Sequence, residues 1–180
     1  MSDSRERKPG SVSGETRSAP GAGAPPSAAP ASVGPASAPP DGGAFSFPRP
    51  LPKPEGDAAR YWQALAAGRI ELPRCRPCGR LVFYPRPFCP ACLSPDVAWE
   101  ELAPRGRVYT FTVVHKPTHP WFFAQAPYVY AVVELEAGVR LPTRIVGCEP
   151  REVRVGTPVE AVFERVGDEA TLLHFAPRRA

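Results

Sequence analysis

Four of the five cysteines stand as Cys75-Arg-Pro-Cys78 and Cys89-Pro-Ala-Cys92, two C-x-x-C pairs with ten residues between them. A tight turn after the first cysteine of each pair lets both sulfurs face one ion, and two such turns complete a tetrahedron. Pro77 and Pro90 favour turns inside the pairs, and Gly79 permits the positive φ needed just past the first. Four thiolates close the coordination sphere and leave no position for a substrate, so this ion would hold structure and do no chemistry. Zinc is the first reading and iron the rival, since both accept four cysteines. Disulfides fit less well, because cysteines so close in sequence suit a metal better and no secretion signal is present. Cys148 is left over and reads as a small buried hydrophobe. Arg74, Arg76, Arg80 and Arg86 flank the pairs, where they would offset the site's negative charge or grip an anion.

Side chains for catalysis are scarce elsewhere. Beyond position 57 the chain has one serine, Ser94, and two aspartates, Asp96 and Asp168, and it contains no asparagine. A Ser-His-Asp arrangement would have to use Ser94, far in sequence from His115, His119 and His174. No G-x-x-x-x-G-K-S/T or G-x-G-x-x-G pattern occurs, so phosphate cradling by a glycine loop has no support. His115 and His119 lack an acidic partner close in sequence and read as polar strand-end or loop residues.

The cysteine pairs need elements to hold them. Arg80 to Tyr84 (R-L-V-F-Y) reads as a strand that hands the chain from one pair to the other. Ahead of them, Asp57 is placed to cap a short helix, Ala58 to Ala67, that ends at Gly68. Its face of Tyr61, Trp62 and Leu65 either covers the cysteine module or docks on a partner. From Gly106 the pattern is β, and Arg107 to His115 alternates Val108/Thr110/Thr112/Val114 with Tyr109/Phe111/Val113. Tyr128 to Glu136 and Val139 to Val146 join at Ala137-Gly138, and Pro158 to Arg165 pairs with Ala170 to Phe175 as a second hairpin. Five strands with a long first connection and a short irregular third one, Gly147 to Gly156, predict a mostly β protein built on a five-stranded OB-fold barrel. The longest connection, Lys116 to Pro127, exposes Trp121, Phe122 and Phe123 beside the binding face of such a barrel. They are candidates for a ligand or protein contact, or for a lid over the barrel end.

Composition divides the chain. Of 26 prolines and 15 glycines, 12 and 8 lie in the first 57 positions, amid Ser and Ala and few large apolar side chains. Such a stretch cannot bury enough surface to offset its ordering entropy. The expected organisation is a disordered tail over 1–57, a helix and zinc ribbon over 58–103, and the barrel over 104–180. The last 123 positions suit one domain plus a small satellite module, which argues against a large self-sufficient enzyme. The first 57 residues carry six basic and six acidic side chains, so the formal +4 belongs to the rest of the chain. Four thiolates on a divalent ion would bring it to about +2. The absence of an apolar signal region or a spanning stretch predicts a cytoplasmic protein without a membrane partner.

Over 58–180 these residues resemble the DUF35 family, proteins with a zinc ribbon followed by an OB fold. The resemblance is carried by Tyr61-Trp62, Gly68, Cys75, Cys78-Gly79, Pro85-Arg86, Cys89-Pro90 and Cys92. It continues through Gly106 to Val114, Pro127-Tyr128, Val133-Glu134-Leu135, Gly138-Val139-Arg140-Leu141 and Val155-Gly156. Arg144 departs from the pattern, where a small polar residue is expected.

The resemblance implies a non-catalytic accessory subunit for acyl-CoA chemistry, in a hetero-oligomer with a thiolase or thiolase-like aldolase or acyltransferase. Some members of the family join MaoC-type hydratases. It implies structural Zn2+ on Cys75, Cys78, Cys89 and Cys92, and an acyl-CoA thioester shared with a partner that supplies the catalytic groups. On that reading Arg107, Lys116 and Arg140 are candidate phosphate contacts by charge, and Trp121, Phe122 and Tyr128 candidate apolar walls. Tyr61, Trp62 and Leu65 are the candidate docking helix. The competing expectation is a single-stranded nucleic-acid-binding module, since ribbons and OB barrels both serve that use. It is the weaker one: past position 57 the sole lysine is Lys116, and the strands carry Glu134, Glu136, Glu160 and Glu164 where a basic groove is needed. Iron at the four cysteines would make a third reading, an electron carrier.

Overall fold

The computed structural model describes residues 47–178, and the tail expected over 1–46 lies outside them. Residues 47–57, also assigned to the tail, run against the barrel, where Arg49 pairs with Glu164. A 3-10 turn, Gly56–Ala58, leads into helix α1, Ala59–Ala66. Two helical turns are not stable alone, so packing must hold them. Tyr61 and Leu65, one turn apart, point inward with Ala64, and Leu65 is fully buried. Asp57 does not cap the helix as expected; it sits inside the 3-10 turn. Gly68, at φ 73°, lets the chain reverse.

Strand β1, Ile70–Cys75, pairs antiparallel with β2, Val97–Leu102, setting Ile70 opposite Leu102 and Cys75 opposite Val97. The strand expected at Arg80 to Tyr84 does not form; its pairing is a single bridge, Arg74 to Leu81. Pro85 and Pro87 follow at once and remove the donors that a longer ladder needs. Phe83 and Tyr84 instead turn to the helix, their rings 6.1 and 5.9 Å from that of Tyr61.

The barrel follows. Its strands are β3 (Arg105–Val114), β4 (Tyr128–Leu135), β5 (Arg140–Ile145), β6 (Pro158–Val166) and β7 (Ala170–Pro177). They close in the order β3-β4-β5-β7-β6. A bulge shifts β3 against β4 between Val108 and Thr110. The simple alternation expected along β3 therefore changes phase at Tyr109: Val108 is buried, but beyond it Phe111 and Val113 pack on the core while Thr110 and Thr112 face outward. Before the bulge, Gly106 pairs with Leu135 on one side and Val159 on the other. A Cβ there would lie 2.9 Å from Val133 Cγ1 and against the Glu134 backbone, so the close approach of β3 and β4 requires glycine.

One apolar core joins both parts: Tyr61, Leu65, Ile70, Leu72 and Leu102 lie in the same cluster as Val108, Val133, Leu141 and Phe175. A separate small cluster holds Cys75, Val82 and Cys89, with Val97 beside them. Among the described residues no helix is long and apolar enough to cross a membrane.

Candidate functional site

The knuckles at the end of β1 and ahead of β2 bring the four cysteine sulfurs within 4.8 Å of one another. Cys75 Sγ lies 3.4 Å from Cys92 Sγ, and Cys78 Sγ lies 3.6 Å from Cys89 Sγ. Four sulfurs at the zinc–sulfur bond length stand about 3.8 Å apart at the corners of a tetrahedron, so this donor set fits one such ion. Gly79, at φ 70°, turns the first knuckle, with its N–H bonded to Cys75 O at 2.8 Å; Leu93 N–H repeats the contact on Cys89 O, also at 2.8 Å. The N–H groups of Ala91 and Cys92 aim at the Cys89 sulfur and hold its thiol down to about 6. The Cys78 N–H acts likewise on Cys75, but burial and the neighbouring thiols overcome it and push that thiol up. Cys75 and Cys89 are buried while Cys78 and Cys92 are exposed. Arg74 pairs with Glu100, and Arg76 with Asp96 at 3.6 Å, so these arginines are answered by ribbon carboxylates.

The residues expected to meet CoA or a partner separate into two groups. Trp121, Phe122 and Tyr128 come together, with ring centroids 4.9 Å apart for Trp121–Phe122 and 5.9 Å for Phe122–Tyr128. A 3-10 turn, Pro120–Gln125, carries the first two, and Trp121 N–H bonds His119 Nδ1 at 3.2 Å. Trp121 and Phe122 are half-buried, so of the three aromatics expected to be exposed only Phe123, at 58%, is open to solvent. Lys116 is exposed just beyond β3. Arg107 and Arg140 lie at the far end of β4, both paired in register with Glu134, about 20 Å along the strand from Tyr128. Arg140 stacks 3.5 Å over the Tyr109 ring, and Arg107 donates to Gly156 O at 3.2 Å. In the helix, Tyr61 and Leu65 are buried and cannot serve as a docking face. Trp62 keeps an open edge and donates Nε1–H to Tyr84 Oη at 2.6 Å.

Sequence reasoning missed a polar cluster on the outer wall of the barrel. Arg49 donates from both Nη atoms to Glu164, at 2.8 and 2.9 Å, and its guanidinium lies 4.7 Å over Trp121. Glu164 Oε2 also meets His174 Nε2 at 2.8 Å. Arg49 above all, and His174 with it, hold the Glu164 carboxyl down to about 2 against its burial. Burial in turn lowers His174 below its ordinary value. Arg144 donates to Gln125 Oε1 at 2.7 Å and stacks 4.5 Å over Tyr128. Arg144 carried one sequence signal, its departure from the family pattern; Arg49 carried none, lying in a stretch read as tail.

Comparison with known proteins bears directly on this arrangement. Residues 62–98 match the family model of the ChsH2 rubredoxin-like zinc ribbon domain, and residues 99–164 that of the ChsH2 C-terminal OB-fold domain. A DUF35 domain-containing scaffold protein of Methanocaldococcus jannaschii is 42% identical over 106 residues, covering 56% of this chain and 74% of the relative. The chain belongs to the DUF35 family. Another relative, a probable enoyl-CoA hydratase alpha subunit of Thermomonospora curvata, is 40% identical over 129 residues, 72% of this DUF35 chain. The match spans only 40% of that relative's length. Among solved structures, a chain of the Ltp2-ChsH2(DUF35) aldolase is 39% identical, with a TM-score of 0.62 over 72% of this chain and 98% of that one.

Proposed function

We propose that this DUF35 chain is a non-catalytic accessory subunit of a heteromeric thiolase or thiolase-like aldolase or acyltransferase. Its cysteines hold structural zinc and its barrel borders the acyl-CoA site of the partner. The observation that carries this reading is the likeness, over 98% of its length, to a chain of an aldolase whose name includes a DUF35 component. Two relatives named as hydratase alpha subunits support a place in a hetero-oligomer. The side-chain chemistry agrees: among the described residues the cysteines are the cluster suited to a metal, and four thiolates leave no coordination position for a reactant. Bound zinc would supply cross-linking of the two knuckles. The half-buried Trp121, Phe122 and Tyr128, with Lys116 and Phe123 exposed beside them, form the face offered to the partner and the CoA arm. Arg107 and Arg140 would serve a second, distant contact.

The test is reconstitution. The tagged chain is purified from its native cell and the accompanying proteins are identified, then chain, partner and complex are assayed separately on acyl-CoA thioesters. A thiolase-like partner, turnover by the complex, none by the chain alone, and one zinc per colourless chain are expected. Turnover by the chain alone at a normal enzymatic rate overturns the reading. So does micromolar, salt-sensitive binding to a single-stranded oligonucleotide, which would restore the nucleic-acid module.

A further inference from the structure

The loop between β3 and β4, residues 116–127, is not tied to the barrel through its backbone. Its backbone hydrogen bonds close within it, from Phe122 N–H to His119 O at 3.0 Å and from Ala126 N–H to Phe123 O at 3.3 Å, and among the described residues none reaches a strand. Side chains must therefore fix where it lies. Arg144 holds one end, through Gln125 at 2.7 Å and the Tyr128 ring at 4.5 Å. The other end, with Trp121 and Phe122, is met by residues 47–50. There the Arg49 guanidinium lies 4.7 Å over the Trp121 ring, and the Phe47 ring stands edge to face with His119 at 6.2 Å.

Arg49 is the anchor of that segment. No backbone hydrogen bond joins residues 47–54 to the barrel among the described residues. Phe47, Pro48 and Pro50 are exposed, whereas the Arg49 side chain is only 14% exposed and ends on both oxygens of Glu164, itself 13% exposed. A two-pronged, charge-assisted contact of this kind fixes orientation as well as position, because the guanidinium is planar. Shielded from solvent, it is also far costlier to break than a surface ion pair. The group that answers Glu164 on β6 is the one that covers Trp121, so a single side chain joins segment, strand and loop.

We propose that Arg49 is a positioning residue for the aromatic face: clamped on Glu164, it holds Trp121 and Phe122 in place from the N-terminal side, as Arg144 holds Gln125 and Tyr128 from the other. Its consequence for docking rests on the accessory-subunit reading, in which that face is offered to the partner; the coupling of segment to loop belongs to this chain alone.

The full zinc-loaded chain is treated with chymotrypsin, and cuts after Trp121, Phe122 and Phe123 are timed by mass spectrometry. Arg49→Met with Glu164→Gln removes the clamp without leaving a carboxylate unpaired. Arg49→Lys keeps the charge but loses the second prong and the flat group over Trp121. Cleavage in the loop should quicken about tenfold in the double variant and about threefold in Arg49→Lys. Hydrogen exchange across Tyr128–Leu135 should stay as in wild type, which separates release of the loop from general unfolding. If the double variant does not fold, Arg49→Lys carries the test alone. Unchanged cleavage overturns the proposal, and so does a rise matched by faster exchange throughout β4, which would make Arg49 a contributor to global stability only. With a thiolase-like partner, Arg49→Lys should weaken binding about threefold and leave turnover of the saturated complex unchanged. Equal binding despite a released loop overturns the positioning role in docking. The absence of any such partner counts against the subunit reading and leaves the cleavage result standing.

Discussion

At the cysteine end of the ribbon, buried apolar packing amounts to Cys75, Val82 and Cys89 with Val97 beside them. In the barrel, and in the root of the ribbon that packs on it, Leu65, Ile70, Leu72, Val108, Val133, Leu141 and Phe175 belong to one continuous core. Ordering each backbone residue costs about 1–2 kcal/mol, which the larger cluster can offset by burial and the smaller one cannot. The knuckles, rich in proline and closed by few backbone bonds, depend on a cross-link at the sulfurs. The same chain thus uses two means of stabilisation, and the boundary between them runs through β1, whose first residues join the core and whose last is a candidate ligand.

Removing the link should have the largest effect. Cys75→Ser with Cys89→Ser, or exhaustive chelation, should forfeit on the order of 10 kcal/mol of metal-coupled folding at the knuckles. Hydrogen exchange should then show Cys75, Val82 and Leu93 amides unprotected while Val129 to Leu135 stay protected. Loss of protection throughout β4 would break the comparison, because the barrel would then depend on the metal too.

The converse variant is Phe175→Ala, in the fully buried centre of the barrel. It should cost about 3–5 kcal/mol and lower the Tm, with metal content per folded chain unchanged. Gly106→Ala should cost about 1–3 kcal/mol by forcing β3 away from β4; a Tm equal to wild type would show that the close approach yields freely.

Acid should act on the barrel side. Glu164 is held down to about 2 by Arg49, so its contribution is complete above its unfolded range and is lost as pH falls from about 5 toward 2. His174 is kept neutral chiefly by burial, so its contribution is present above about pH 6.5 and declines below it. The Tm should therefore start to fall near pH 6.5, and Glu164→Gln should lower the Tm at pH 7 and flatten the decline below pH 5. The smallest effect is expected from Trp62→Phe, which removes the bond to Tyr84 Oη between helix and ribbon and should cost about 0.5–1.5 kcal/mol in a denaturant titration.

The cysteine spacing, the five barrel strands and both hairpins were legible because each depends on residues close in sequence. The errors share a cause. Arg80 to Tyr84 has strand composition, yet its neighbours supply prolines and its rings are drawn to Tyr61. The alternation of β3 looked regular because a bulge leaves no mark when both faces carry Val, Thr and aromatic residues. Tyr61 and Leu65 made an apolar face whose destination, core or partner, was open until the barrel was seen beneath them. Of the candidate contact residues, the aromatics meet at one end of β4 and the two arginines at the other, a separation that charge and residue type do not express.

By itself the sequence determined the donor set for a metal, the five barrel strands, the scarcity of catalytic side chains and the likeness to the DUF35 family, but not the two ribbon strands, Ile70–Cys75 and Val97–Leu102. What it did determine follows from local spacing and composition. Tertiary structure alone decided that Arg49, Glu164, His174 and Arg144 form one cluster. Arg49 and Glu164 are 115 positions apart, and Arg144 and His174 become neighbours only through the single parallel contact between β5 and β7. Pairing across a closed barrel depends on register summed over every strand, and no short stretch of chain contains it.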